Sequence, residues 1–345
     1  MVSSAQRHPQ RQSPHWYQTR IFGLMLGVFL LLLGLFASLA YGAADIPISS
    51  IFNSFISFND STEHIIIRSM RLPRALLAMM VGASLAVAGA LMQGLTQNPL
   101  AAPGILGINA GASLAVVIVV FGLGTSSSPL IAVVAFLGAL VAAISVYFLG
   151  SLGSGGPTPL NLTVAGAALT ALLSSITTGV LILSERTLEE VRFWLAGSVA
   201  GRDFHLFLTV LPWIVVGLLT TFTLGRQINI LALGESVAVG LGQRTLWIKA
   251  ATTACVVVLA GSAVAIAGPI GFVGLVVPHL TRGIMGVDYR WILPGAAVFG
   301  AAMLVWADNG ARWILRPQEL PVGIITALLG APFLLYLVRY QVKRG

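Results

Sequence analysis

Three arginines, Arg68, Arg71 and Arg74, stand three residues apart in IIIRSMRLPRALLAMMVGASLAV (residues 65–87), at the entrance to a run so apolar that it reads as a membrane span. Near the other end of the chain, Asp308 and Arg312 stand four residues apart in WADNGAR. Guanidinium groups can bind the carboxylates of an acidic partner, where complementary charge steers the encounter and fixes its register. The Asp308–Arg312 spacing equally suits a local ion pair that closes a helix end. Both readings stay open on these residues alone.

Other chemistry lacks the residues it needs. No G-x-x-x-x-G-K-[ST] stretch occurs, so the chain cannot cradle nucleotide phosphates in a P-loop. There is no H-E-x-x-H and no G-x-S-x-G, so neither a zinc hydrolase nor a serine nucleophile is supported. The five histidines are scattered, and Cys255 is the one cysteine, inside an apolar run. No metal site and no disulfide framework follow.

The elements that must position the charged residues are membrane helices. Apolar residues make up 57% of the chain and charged ones 9%, with mean hydropathy +0.93. About 20 apolar residues cross the hydrocarbon core, and the 38 glycines suit helices that approach closely in lipid. Charge-poor runs predict an all-α polytopic membrane protein of ten spans: 21–41, 72–95, 104–123, 130–149, 161–183, 206–224, 247–267, 269–285, 293–310 and 321–338. The run from Ile21 to Phe36 imitates a secretory signal but is read as the first span. Gly268-Pro269 is the expected break between the seventh and eighth. Residues 1–20 and 339–345 are read as tails, and 21–338 as a single ten-helix transmembrane domain.

An even number of spans puts both basic termini on one side, and the positive-inside rule makes that side the cytoplasm. Arg68, Arg71 and Arg74 then come out external, against the rule, together with Arg186, Arg192, Arg202, Arg312 and Arg316. No span carries a charge at its middle, which argues against a proton- or sodium-coupled carrier with its own midplane acid.

Three connecting segments stand out. Residues 92–113 hold two prolines and read as a tight turn, followed by a packing face at Gly107 and Gly111; GASLAV, at 82–87 and again at 111–116, reads as a packing surface in both places. The uncharged loop GSLGSGGPTPLN (150–161) reads as a linker or a bending gate. RQINILALGESVAVGLGQR (226–244) breaks at Gly234, Gly240 and Gly242, which predicts two short helices in a cytoplasmic loop. They form either an interfacial connector or a docking surface.

The blocks RLPRALLAMMVGASLAVAGALMQGLTQNPLAAPGILGINAGAS, VRFWLAGSVAGRDF, LALGESVAVGLGQR, GPIGFVGLVVPHLTRGIMGVDYRWILPG, WADNGAR and ELPVGIITALLGAPFLLYLV, in this order from Arg71 to about Arg339, resemble the signatures of FecCD-type permeases. These are membrane subunits of ATP-driven importers of iron–siderophores, cobalamin and haem. GINAGAS, LNLTVAG and VRFWLAGS are most similar to the ferric-siderophore branch, in particular its catecholate type.

The resemblance implies a ten-helix type II ABC importer permease fold in a bacterial cytoplasmic (inner) membrane. It implies a second permease subunit, either a second copy or a paralogue, an extracytoplasmic substrate-binding protein, and two ATP-binding subunits. ATP and Mg would be bound by those subunits, leaving this chain without cofactor, metal or catalytic residue; no nucleic acid is implied. By motif, Arg71, Arg74 and Arg312 match positions that meet acidic residues of the binding protein. Leu231, Leu233, Gly234, Glu235, Ala238, Leu241 and Gly242 match the helices that sit in a cleft of the ATPase. Thr158, Pro159, Leu160 and Asn161 fall in the family's cytoplasmic gate region, although Pro159 departs from its pattern; only the region is carried over. Cobalamin or haem as cargo, and a stand-alone secondary transporter, are the alternatives.

Overall fold

The computed structural model describes residues 15–42, 46–125, 127–152, 158–202, 204–315 and 318–342. The expected N-terminal tail up to residue 14, loop residues 153–157, Arg316, and Lys343 and Arg344 of the C-terminal tail lie outside them. Among the described residues all regular structure is helical. In chain order the helices are α1 (His15–Ala40), α2 (Ile48–Ile56), α3 (Thr62–Ile65), α4 (Leu72–Thr96), α5 (Ile108–Leu123), α6 (Ser128–Ser151), α7 (Pro159–Leu183), α8 (Glu185–Leu195), α9 (Phe204–Thr223), α10 (Gly225–Leu231), α11 (Glu235–Gly240), α12 (Thr245–Ala267), α13 (Val273–Met285), α14 (Tyr289–Ile314) and α15 (Val322–Val342).

Eight of the described helical stretches are long and apolar enough to cross a membrane; the apolar helices α5 and α13 have only 16 and 13 residues. The expected spans 104–123 and 269–285 are therefore shorter than read. Each begins with irregular backbone that a hydropathy reading cannot see. A 3₁₀ turn over Pro103–Leu106 ends at Gly107 (φ +71°), so α5 starts only at Ile108. After the expected break at Gly268-Pro269, Phe272 adopts φ +67° and α13 starts at Val273. Residues 15–20, expected as tail, already belong to α1.

α3 and α4 form one continuous helical stretch through Pro73. A π-helical segment, Ile66–Arg71, precedes the proline, and the Leu72 N–H reaches Ile67 O five residues back. Proline withholds a helical N–H, and such a wide turn is one way to absorb the mismatch.

α4 is buried over nearly its whole length, packed against α14, α12 and α13. α5 packs on α6 and α7, α1 on α14, and α9 on α12. A Cβ on Gly82 would collide with the Gly300 backbone, one on Gly89 with Gly274, and one on Gly111 with Gly138. Both GASLAV copies are thus helix crossings, α4 on α14 and α5 on α6. Large apolar side chains such as Phe22, Leu32, Val141 and Trp213 point outward, the arrangement a lipid-facing surface requires. Hydroxyls in the bundle donate to carbonyls one turn back, as Ser84 does to Met80 and Thr281 to Val277.

Candidate functional site

Polar residues gather at the two ends of the bundle. At one end the C-terminus of α1, the start of α4, the end of α14 and the approach to α15 converge. The Arg74 guanidinium clamps Asp308, with Nε donating to Oδ2 at 2.9 Å and a terminal nitrogen donating to Oδ1 at 2.9 Å; its other terminal nitrogen donates to Glu319 at 2.6 Å. Arg312 donates to Ser38 Oγ at 2.7 Å, to the carbonyls of Ser38 and Tyr41, and to the Asn309 side chain. Arg71 donates to the carbonyls of Leu39 and Ala40 at 2.6 and 2.9 Å.

The structure brings Arg71, Arg74 and Arg312, to which the resemblance gave a docking role, into one cluster, and the cluster faces inward. Arg71 and Arg312 are 5% exposed, and the Arg74 side chain is 13% exposed. The physical reason lies in α1, whose last carbonyls have no intrahelical donors; two of the three arginines supply them. The expected Asp308–Arg312 pair is present at 3.4 Å, yet the stronger partner of Asp308 is Arg74. Arg68 lies with its guanidinium over the Phe58 ring at 4.4 Å, a cation–π contact.

At the opposite end α10 and α11 fulfil the expectation of two short helices. Leu231 and Ala238 are buried and hold the segment down. Gln97, at the end of α4, donates to Leu231 O, and Gln243 donates to Gln227 O. Glu235 pairs with Lys249 at 2.6 Å. Leu233 and Leu241 point outward with Val237, Val239, Leu246 and Trp247. Gly234 (φ +115°) and Gly242 (φ +77°) take backbone conformations that L side chains rarely adopt. The result is an apolar surface on a segment pinned to the bundle.

Sequence reasoning missed the bolts behind that segment. Asn229 donates to Asp288, the N-cap of α14, and accepts from the Tyr289 N–H; Arg282 donates to Gln93 of α4 and to the Tyr289 hydroxyl. Their only signal was polarity at the ends of charge-poor runs. Hydrogen bonds from Arg290 and Asn229 hold the Asp288 carboxyl down at about 2, below its ordinary 3.8. A depressed folded-state value means that the ionised form stabilises the fold above about pH 4, and that this contribution fades as pH falls toward 2. Asp288→Asn should flatten the loss of thermal stability between those pH values by about 1 kcal/mol, once solvent screening is allowed for; melts of the purified protein across that range test it.

In the expected gate region, Thr158 caps α7 by accepting from the Asn161 N–H, Pro159 occupies its first turn, and Leu160 is exposed. These are ordinary helix-start roles. Among the described residues no group of three or more His, Cys, Asp or Glu could hold a metal ion.

With this geometry in view, comparison with known proteins gives one answer. The model of the FecCD transport family matches residues 30–340. The chain is 51% identical over 316 residues to "Probable siderophore transport system permease protein YfiZ" of Bacillus subtilis (strain 168), covering 92% of this chain and 95% of that one. It is 42% identical over 323 residues to the ferric enterobactin transport system permease FepD of Escherichia coli (strain K12), covering 94% and 96%. A solved structure of an inward-facing metal-chelate type ABC transporter superposes with TM-score 0.80 at 30% identity, over 93% of this chain and 98% of that one. By its sequence from Leu30 to Tyr340 and by its helical architecture, the chain belongs to the FecCD transport family.

Proposed function

We propose that this multi-pass membrane protein is the permease subunit of an importer that carries a ferric siderophore across a bacterial cytoplasmic membrane, driven by ATP bound in separate subunits. The observation that carries the reading is the outward-facing apolar segment of α10 and α11, pinned to α4 and α14 by the Gln97 and Asn229 hydrogen bonds. A surface meant to transmit force from a docked motor needs exposed apolar contacts and a rigid mounting. Family membership and the siderophore-named relative support the cargo.

On this reading the chain crosses ten times, the eight long helices being joined by α5 and α13, with both termini cytoplasmic. Irregular backbone at membrane depth is acceptable where protein neighbours satisfy it, and the starts of α5 and α13 are buried. The path would run along α7, whose exposed Val164, Ala168, Ala171, Ser175 and Thr178 share one face. Such small, weakly polar residues let a bulky chelate pass without trapping it. A second permease subunit, this chain or a paralogue, completes the path. An extracytoplasmic binding protein docks at the Arg71–Arg74–Arg312 corner, where Arg74 is the most exposed cation and the other two fix its position. Residues 158–161 serve as the hinge of the cytoplasmic gate.

Co-purification tests the central point. A P-loop ATPase should accompany the tagged permease from its native membrane, and an ATPase-free preparation that still imports the chelate would contradict the reading.

A further inference from the structure

At the same end as the arginine cluster, α8, the turn that follows it and the approach to α15 enclose a recess of about 390 Å³. Its lining includes Glu190, Trp194, Ser198, Arg202 and Glu319. Three of these present polar atoms that no described residue satisfies. Trp194 is 4% exposed, and its indole N–H has no acceptor. Glu190 gives one carboxylate oxygen to Arg186 at 3.0 Å, while the other, buried, has no donor. Arg202 is half-buried, its Nε has no partner, and among the described residues no carboxylate lies within ion-pair distance of it. Burial lowers the Arg202 pKa, and among the described residues no opposing charge raises it. Groups left so are costly in a fold, and each calls for an explanation.

The recess is also prebuilt. The Ser198 N–H donates to Ala267 O, the Gly323 N–H donates to Gly197 O, and the Ala200 N–H donates to Ser198 Oγ. The turn that carries Arg202 is therefore tied to α12 and α15 before anything binds. Glu190 and Glu319 already pair with Arg186 and Arg74, so among the described lining residues the unspent charge is the positive one on Arg202.

We propose that this recess is an outer loading site for an anionic, oxygen-rich iron chelate, in which Arg202 and the Trp194 N–H bind an anionic oxygen and Glu190 accepts from a hydroxyl or amide of the same molecule. The size of the recess and its mixture of donors and acceptors suit a limb of a small molecule better than one acidic side chain of a partner protein. The inference rests on the importer reading and adds a named site to it.

The test uses the full chain in lipid nanodiscs, with ferric citrate as the anionic probe and an uncharged ferric trihydroxamate as the control. Ferric citrate should quench tryptophan emission saturably. Arg202→Gln should raise its half-saturating concentration about tenfold or more, the size of one lost charge-assisted hydrogen bond; Arg202→Lys should recover part of the loss, and Trp194→Phe should remove most of the saturable signal. The trihydroxamate should show no dependence on Arg202. Without chelate, Arg202→Gln should melt no lower than the parent, because an unpaired charge has been removed, whereas a purely structural arginine would lower the melting point. Equal half-saturation for the parent and Arg202→Gln would overturn the proposal. So would unchanged chelate binding combined with weakened association of the extracytoplasmic binding protein. In proteoliposomes, ATP-driven uptake whose half-saturation ignores Arg202→Gln refutes the loading site alone; absence of ATP-driven uptake in every variant refutes the importer reading instead.

Discussion

Replacing Asp308 with alanine should cost about 3–5 kcal/mol and should lower the melting temperature of the purified protein far more than any exposed substitution. The carboxylate is 2% exposed and lies against both Arg74 and Arg312. Without it, the guanidinium groups of Arg74 and Arg312 lose the carboxylate they share; among the described residues Glu319 is the other carboxylate paired in this cluster, and it is 34% exposed and placed for Arg74. Glu319→Gln should therefore cost about 1 kcal/mol or less. Arg74→Gln combined with Asp308→Asn should cost less than the sum of the single changes, since each partner's penalty is largely the charge left behind. Melts of the parent, the four single variants and the Arg74→Gln/Asp308→Asn double variant in one detergent check the ranking. Equal effects at 308 and 319 would show that the cluster does not hold the corner together.

The second large effect is functional and should leave the fold untouched. Leu233 and Leu241 are 67% and 64% exposed, so Leu233→Glu and Leu241→Glu should change stability by no more than about 0.5 kcal/mol. If the segment docks a motor, each new carboxylate lies in the centre of an apolar interface. The pair should then weaken ATPase association by about tenfold or more. Glu235→Gln, which only releases a surface pair with Lys249, should leave association nearly intact. Retention of the ATPase by the Leu233/Leu241 double variant, measured by co-purification, would remove α10 and α11 from the docking role.

Much of this architecture was legible in the chain because lipid imposes a simple code. Charge-poor runs located the long helices, and glycine punctuation at 234, 240 and 242 marked the two short helices of the loop. Other features obey rules that local patterns do not carry. Asp308 has a neighbour at Arg312, but its main partner is Arg74, 234 residues away, and only packing of α4 on α14 brings them together. α8 went unrecognised as a helix because ERTLEEVRFWL is too charged for a span, although Ser184 caps it by accepting from the Thr187 N–H. The positive φ at Phe272 shortens α13 and belongs to a residue type that gives no warning of it. The arginines were singled out by motif, but their meeting in one cluster and their inward direction depend on where α1 ends. The bolts Gln93, Asn229 and Arg282 join separate helices and were invisible for the same reason.

The central claim is that this chain moves a ferric chelate only when a separate ATPase acts on it. The most direct measurement is accumulation of radiolabelled iron by proteoliposomes that contain the permease, its co-purified ATPase and the extracytoplasmic binding protein. The account predicts uptake that requires hydrolysable ATP, persists when ion gradients are collapsed, and disappears with Leu233→Glu and Leu241→Glu. Uptake at an undiminished rate without the ATPase, or uptake that stops when an ion gradient is collapsed while ATP remains, would contradict it.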